Sequence, residues 1–166
     1  MALTRSSSHT IYPYSLGIAL WAVVLFLPCV VMLSDVLSVA DYPSYMAVRA
    51  VGGVIFMAGL WVLWRSHVDL GINFSPSLFI RGNHTLVTNG IYKNIRHPMY
   101  LSFVMWAIGQ ALLIDNWLAG PIGIVAFMLI YLFRIEQEEQ QLVEVFGDEY
   151  VNYQKITGRL LPRKLT

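Results

Sequence analysis

Long apolar runs, not alternating patterns, dominate this chain. Ile11 to Leu33 holds no charged residue over 23 positions. At about 1.5 Å of rise per residue, a helix of that length spans roughly 35 Å, enough for the hydrocarbon core of a bilayer. Tyr45 to Trp64 forms a second run, interrupted only by Arg49 one turn in, where a long side chain can snorkel to the headgroups. Pro98 to Ile114 and Trp117 to Phe133 form a third and a fourth. Both are short for full spans, so local thinning of the bilayer or snorkelling is expected at their ends. Only Asp115-Asn116 separates them, and a link that short forces an antiparallel helical hairpin. After Phe133 the pattern turns polar, and a charged helix is predicted from Arg134 to about Phe146, stopped by Gly147. The fold class that follows is an all-α membrane protein of about four transmembrane helices, with a C-terminal helical hairpin and a cytoplasmic amphipathic helix.

Composition agrees. Of 166 residues, 57% are hydrophobic and 13% charged, about half the charged share of a soluble domain. Mean hydropathy is +0.58. The first run exceeds the h-region of a signal peptide and no small-residue cleavage site follows, so it reads as a retained anchor. The single cysteine, Cys29, lies inside it, which excludes an internal disulfide and a multi-cysteine metal site. Net charge is +1, but its distribution carries more. Lys and Arg fall in the N-terminus, the central loop and the C-terminal tail, whereas Ser34 to Ser44 and Asp115-Asn116 hold none. The positive-inside rule then puts both termini and the central loop in the cytoplasm, consistent with four spans. No basic stripe with interleaved aromatics suggests nucleic acid.

Two regions follow: a two-helix anchor over 1–66 and a more polar region over 67–166, opening with turn signals at Gly71, Ser75-Pro76, Gly82-Asn83 and Asn89-Gly90. In the charged helix, a 100° step per residue gathers Ile135, Leu142, Val145 and Phe146 on one face. Glu136, Gln140 and Glu144 fall opposite, Glu139 falls at the edge of the apolar face, and Glu138 falls in its middle. A carboxylate there needs a partner. Arg134, one turn earlier, offers an i, i+4 ion pair. Alternatively, Glu138 is aimed into a polar cavity with Arg134 beside it.

The stretch from His84 to Tyr100, HTLVTNGIYKNIRHPMY, is dense in hydrogen-bonding side chains. Pro98 suits the first turn of a helix. Its free amides and dipole favour an anionic group near Arg96 and His97. Tyr92 and Tyr100 supply aromatic faces, although helix-end tyrosines also serve as interfacial anchors. The hairpin returns the chain to the same membrane face, so this cluster and the Arg134/Glu138 pair are expected to meet. His9, His67, His84 and His97 lack ligand spacing, so no metal is expected. No GxGxxG, GxSxG or phosphate loop is present.

HTLVTNGIYKNIRHPMY, the Asn116 turn and RIEQEEQQLVEVFGDEYVNYQKITGRLLP together resemble the isoprenylcysteine carboxyl methyltransferase family of integral membrane enzymes, over roughly Leu70 to Pro162. The resemblance implies that 67–166 is a catalytic region using S-adenosylmethionine. His84, Thr85, Leu86 and Val87 would line the cofactor site, with Tyr92, His97, Pro98, Met99, Tyr100 and Glu138 also in contact. Arg134 would orient the methyl acceptor. A prenylated cysteine, another amphipathic carboxylic acid, a small thiol and a lipid amine all remain open as acceptors, with a carboxylate or thiol favoured. The other expected partner is the lipid bilayer. Two rival readings exist. Phe146-Gly147-Asp148-Glu149-Tyr150 also fits the FG-x-x-[YW] pattern of NADPH-dependent sterol-reductase-like membrane proteins. A non-enzymatic membrane protein that keeps the hairpin as a packing surface is the other.

Overall fold

A computed structural model describes residues 21–24, 26, 29–31, 33–43, 45–73 and 85–163. Most of the first apolar run and His84 lie outside them. The described residues between Trp21 and Leu33 are helical. Four helices follow: α1 (Met46–Leu70), α2 (Pro98–Leu113), α3 (Ala119–Phe146) and α4 (Asp148–Ile156). No strand forms among the described residues; only the isolated bridges Asp41–Asn116 and Ile95–Gly158 do.

α1 outruns the apolar stretch that predicts it, continuing through Arg65, Ser66 and His67 to Leu70. Gly71, at φ +52°, ends it by donating its N–H to the His67 carbonyl. Over residues 50–64 the helix is apolar on all sides. Val51, Val54, Met57, Trp61 and Trp64 face outward and exposed, as lipid-facing side chains do. Its opposite face meets α2 at backbone distance: a Cβ on Gly109 would lie 2.7 Å from Phe56 N, and one on Gly52 would lie 2.8 Å from Leu112 Cβ. Small residues at a helix crossing let van der Waals packing replace the hydrophobic drive that lipid removes.

The α2–α3 hairpin forms as its two-residue link predicts. Asn116 is fully buried in the turn. Its Oδ1 accepts the N–H groups of Leu118 (3.0 Å) and Ala119 (2.9 Å), which caps α3. Its Nδ2 donates to the Leu37 carbonyl at 2.7 Å and to Asp41 Oδ1 at 2.6 Å. Arg49 Nε donates to Asp115 Oδ2 at 2.8 Å, so this arginine has a carboxylate partner where snorkelling is expected. The two links free of Lys and Arg, 34–43 and 114–118, thus meet at one end of the helices.

α3 corrects the expected division between a fourth span and a separate amphipathic helix: Ala119–Phe146 is one helix of 28 residues. The change from apolar to charged at Arg134 changes the surroundings of the helix, and no residue there breaks it. Gly147, at φ +55°, ends it as predicted. α1, extended by its terminal turn to Asn73, and α3 are each long and apolar enough to cross a membrane; α2 is shorter.

Candidate active site

At the end opposite the Asn116 turn, residues 94–97 run beside 157–159. Arg96 N–H donates to the Gly158 carbonyl (2.8 Å) and His97 N–H to the Arg159 carbonyl (3.0 Å). This pairing ties the start of α2 to the chain beyond α4. Pro98 at the first helical position completes the entry into α2. Tyr153 of α4 donates its hydroxyl hydrogen to the Tyr92 carbonyl, closing the assembly from the outside. Burial pushes the Tyr153 phenol up to about 12, so it stays a neutral donor at physiological pH.

Inside lies a cavity of about 490 Å³, within the size range of small-molecule sites. Thr85, Leu86, Val87 and Tyr92 line it from the loop. His97, Pro98, Met99 and Tyr100 line it from the start of α2, and Arg134 and Glu138 from α3. Every described residue singled out from the sequence thus reaches one cavity; His84 lies outside the described residues. Trp21, Leu63, Phe103 and Ile130 form an apolar wall.

The two polar clusters meet as the hairpin requires. Tyr100 Oη donates to Glu138 Oε2 at 2.8 Å, and His97 Nδ1 lies 3.7 Å from Glu138 Oε1. The expected Arg134–Glu138 ion pair does not form. Among the described residues Arg134 makes no ion pair or hydrogen bond, and it stands at the cavity wall. Of the two readings of Glu138, its position on the cavity wall matches the second.

Glu139 is the larger correction. It is only 5% exposed. It accepts Arg96 Nε at 3.1 Å, and Arg159 through Nη2 at 2.7 Å and Nε at 3.0 Å. His97 Nε2 lies 3.2 Å from its Oε1. The face turned inward is Ile135, Glu139, Leu142 and Phe146, whereas Val145 is 52% exposed. Helical phase puts Glu139 only at the edge of the apolar face and shows it no partner. Two guanidiniums from distant segments reverse that by supplying charge-assisted hydrogen bonds. Burial of His97 lowers its pKa, but the adjacent carboxylates of Glu138 and Glu139 outweigh it and raise the value above the ordinary 6.5.

Sequence reasoning also missed His67 and Gln141 on the cavity wall. His67 sits one turn beyond the second apolar run, and only the continuation of α1 brings it to the site. The Tyr150 hydroxyl and Gln141 Oε1 are buried with no hydrogen-bond partner among the described residues, and both side chains border the cavity.

The fold is helical, with two helices long and apolar enough to cross a membrane and an amphipathic cavity at one end of its hairpin. Residues 50–144 match the model of the isoprenylcysteine carboxyl methyltransferase (ICMT) family. A probable protein-S-isoprenylcysteine O-methyltransferase of Oryza sativa subsp. indica is 33% identical over 135 residues, covering 77% of this chain and 69% of that protein. The chain belongs to the ICMT family. The protein-S-isoprenylcysteine O-methyltransferase of Schizosaccharomyces pombe is 38% identical over 90 residues. That match takes in 53% of this chain and 38% of the yeast protein; for the Mus musculus relative the latter share is 28%. This chain therefore matches well under half the length of these relatives. The solved structure of a eukaryotic intramembrane Ras methyltransferase, ICMT, superposes with a TM-score of 0.65 at 24% identity, covering 90% of this chain and 52% of that one. At that identity it shares the fold.

Proposed function

We propose that this chain is an integral membrane methyltransferase that uses S-adenosylmethionine and methylates the carboxylate of a lipophilic, isoprenylcysteine-like acceptor. The observation that carries it is one cavity with a carboxylate–phenol–imidazole cluster, an arginine that makes no ion pair among the described residues, and an apolar wall. Membership of the ICMT family supports the reaction class.

The residues present suit the cofactor. Its size is compatible with a cavity of about 490 Å³. Glu138 offers a carboxylate to its cationic groups, and Tyr92 and Tyr100 offer aromatic faces for cation–π contact, worth about 0.5–2 kcal/mol each. The Tyr150 hydroxyl and Gln141 Oε1, without partners among the described residues, offer a donor and an acceptor for the polar edges of a ligand. When bound, the cofactor supplies an electrophilic methyl group on a sulfonium.

The chain's own work is alignment and exclusion of water. Tyr100 and His97 hold Glu138 in one rotamer. Arg134 receives the acceptor carboxylate through a bidentate pair of hydrogen bonds. Trp21, Leu63, Phe103 and Ile130 take the lipophilic part and keep water from the reacting atoms. An ionised carboxylate is already nucleophilic, so no residue need remove a proton. The site end of the helices, which carries Lys93, Arg96, Arg159 and Arg163, faces the cytoplasm in this reading.

The test is calorimetric binding of S-adenosylhomocysteine and of NADPH to detergent-purified protein. Methyl transfer to an S-prenylated cysteine with a free carboxylate is assayed alongside. Binding of the first ligand only, with transfer, is the expected result. Binding of NADPH alone supports a reductase, and binding of neither, with no transfer, overturns the enzymatic reading.

A further inference from the structure

The end of α1 does more than anchor. Leu63, His67 and Leu70 border the cavity, and two polar side chains beyond them grip the loop that carries Thr85, Leu86 and Val87. Asp69 Oδ2 accepts the Ile91 N–H at 2.8 Å, while its Oδ1 pairs with Arg65 Nη2 at 2.7 Å. The approach is close: Gly90 has φ +57°, and a Cβ there would lie 2.2 Å from Asp69 Oδ2. A side chain there would be strained and would push the carboxylate aside. Asn73 Oδ1 accepts the Thr85 N–H at 2.8 Å. The two tethers stand at the two ends of 85–91, and residues 85–88 between them belong to no helix or strand. Side-chain acceptors on α1 and on the turn that follows it therefore do for this loop what a ladder does for a strand.

We propose that Asp69 and Asn73 are positioning residues of the cofactor site, fastening loop 85–91 at both ends so that Leu86 and Val87 meet the ligand already ordered. The inference rests on the reading of the cavity as a cofactor site. A loop ordered before binding spares the ligand the entropic cost of ordering it. Loss of a tether then weakens binding but leaves the aligned, saturated complex unchanged, so cofactor KM rises while kcat holds.

The experiment uses full-length protein in detergent, wild type beside Asp69→Ala, Asp69→Asn and Asn73→Ala. Hydrogen exchange of 85–91 is followed without ligand, S-adenosylhomocysteine affinity by calorimetry, and turnover at saturating cofactor. Asp69→Ala is expected to speed exchange in the loop and to weaken binding about tenfold, with saturated turnover close to wild type. Asp69→Asn keeps an oxygen for the Ile91 N–H and should recover most of the affinity. Asn73→Ala, at a half-buried position in the turn after α1, carries the same test if Asp69→Ala fails to fold. Unchanged exchange and affinity overturn the proposal, and so does equal damage in the Asn and Ala variants or a parallel fall in kcat. A wild type that binds no S-adenosylhomocysteine fails the cofactor reading instead, and the exchange data still judge the tethers.

Discussion

Tyr100 Oη and Glu138 Oε2 lie 2.8 Å apart although 38 positions separate them in the chain. The hairpin turn at Asn116 brings them together, so the bond reports both the correct packing of α2 on α3 and the readiness of the site. Glu138→Gln keeps the shape but loses the charge. It is expected to weaken S-adenosylhomocysteine binding by roughly 2 kcal/mol, as loss of a charged hydrogen-bond partner does. Tyr100→Phe frees Glu138 without removing it and should cost less, about 1 kcal/mol. Calorimetry on both variants checks the order; equal effects would contradict it.

Arg134 makes no ion pair or hydrogen bond among the described residues, so Arg134→Ala should leave thermal stability and cofactor affinity near wild type. Turnover should fall about a hundredfold, through loss of acceptor alignment. Arg134→Lys should recover little, because an ammonium cannot make the bidentate contact. Single-turnover methyl transfer beside calorimetry separates the two effects.

Glu139 is structural in its geometry, with Arg96 at 9% side-chain exposure among its partners. Glu139→Ala leaves that guanidinium buried without its counter-charge, and the fold should lose about 3 kcal/mol. Arg159→Ala should cost less, because Arg159 is 40% exposed and solvent screens its share. Thermal unfolding in one detergent ranks the pair.

Gly109 meets the backbone of α1 at Phe56. Gly109→Ala has no flexible neighbour to displace, so α1 and α2 must separate, at a cost of about 1–3 kcal/mol. Gly53, whose Cβ would meet nothing within 4 Å, is the control, and Gly53→Ala should be neutral or mildly stabilising by helix propensity. Comparing their unfolding temperatures tests the close crossing.

His97 has its pKa raised in the fold by Glu138 and Glu139, against the effect of burial. A raised folded value means that the protonated ring contributes stability. That contribution is fully present below the ordinary 6.5 and is lost as pH climbs through the folded value. Wild type should therefore lose stability as pH rises above 6.5, and His97→Gln should show a flatter profile. A steeper profile in the variant would reverse the sign of this coupling.

The hairpin, the cap at Gly147 and the meeting of residues 85–100 with Arg134 and Glu138 were legible in the order of residues. Each depends on a local rule: a two-residue link, a glycine after a periodic run, a proline at a helix start. The roles of Glu138 and Glu139 were legible only in part. Helical phase ranks faces by hydrophobicity, and the partners that bury Glu139 are Arg96, 43 positions before it, and Arg159, 20 after it. Asp69 and Asn73 gave no signal, since a carboxylate at a helix end reads as solvated until a loop is seen to donate to it.

From sequence alone came the membrane-length apolar helices, the helical hairpin and the resemblance that named a family, because these follow from composition, short-range geometry and motif spacing. The tertiary structure alone decided that α3 runs unbroken from the apolar segment to the charged one. It alone decided that Glu139 turns inward, that Arg134 reaches the cavity without an ion pair among the described residues, and that Asp69 and Asn73 hold the loop over 85–91. Those outcomes depend on which distant donors and acceptors meet, and a buried charge takes its place only from the partners that compensate its desolvation.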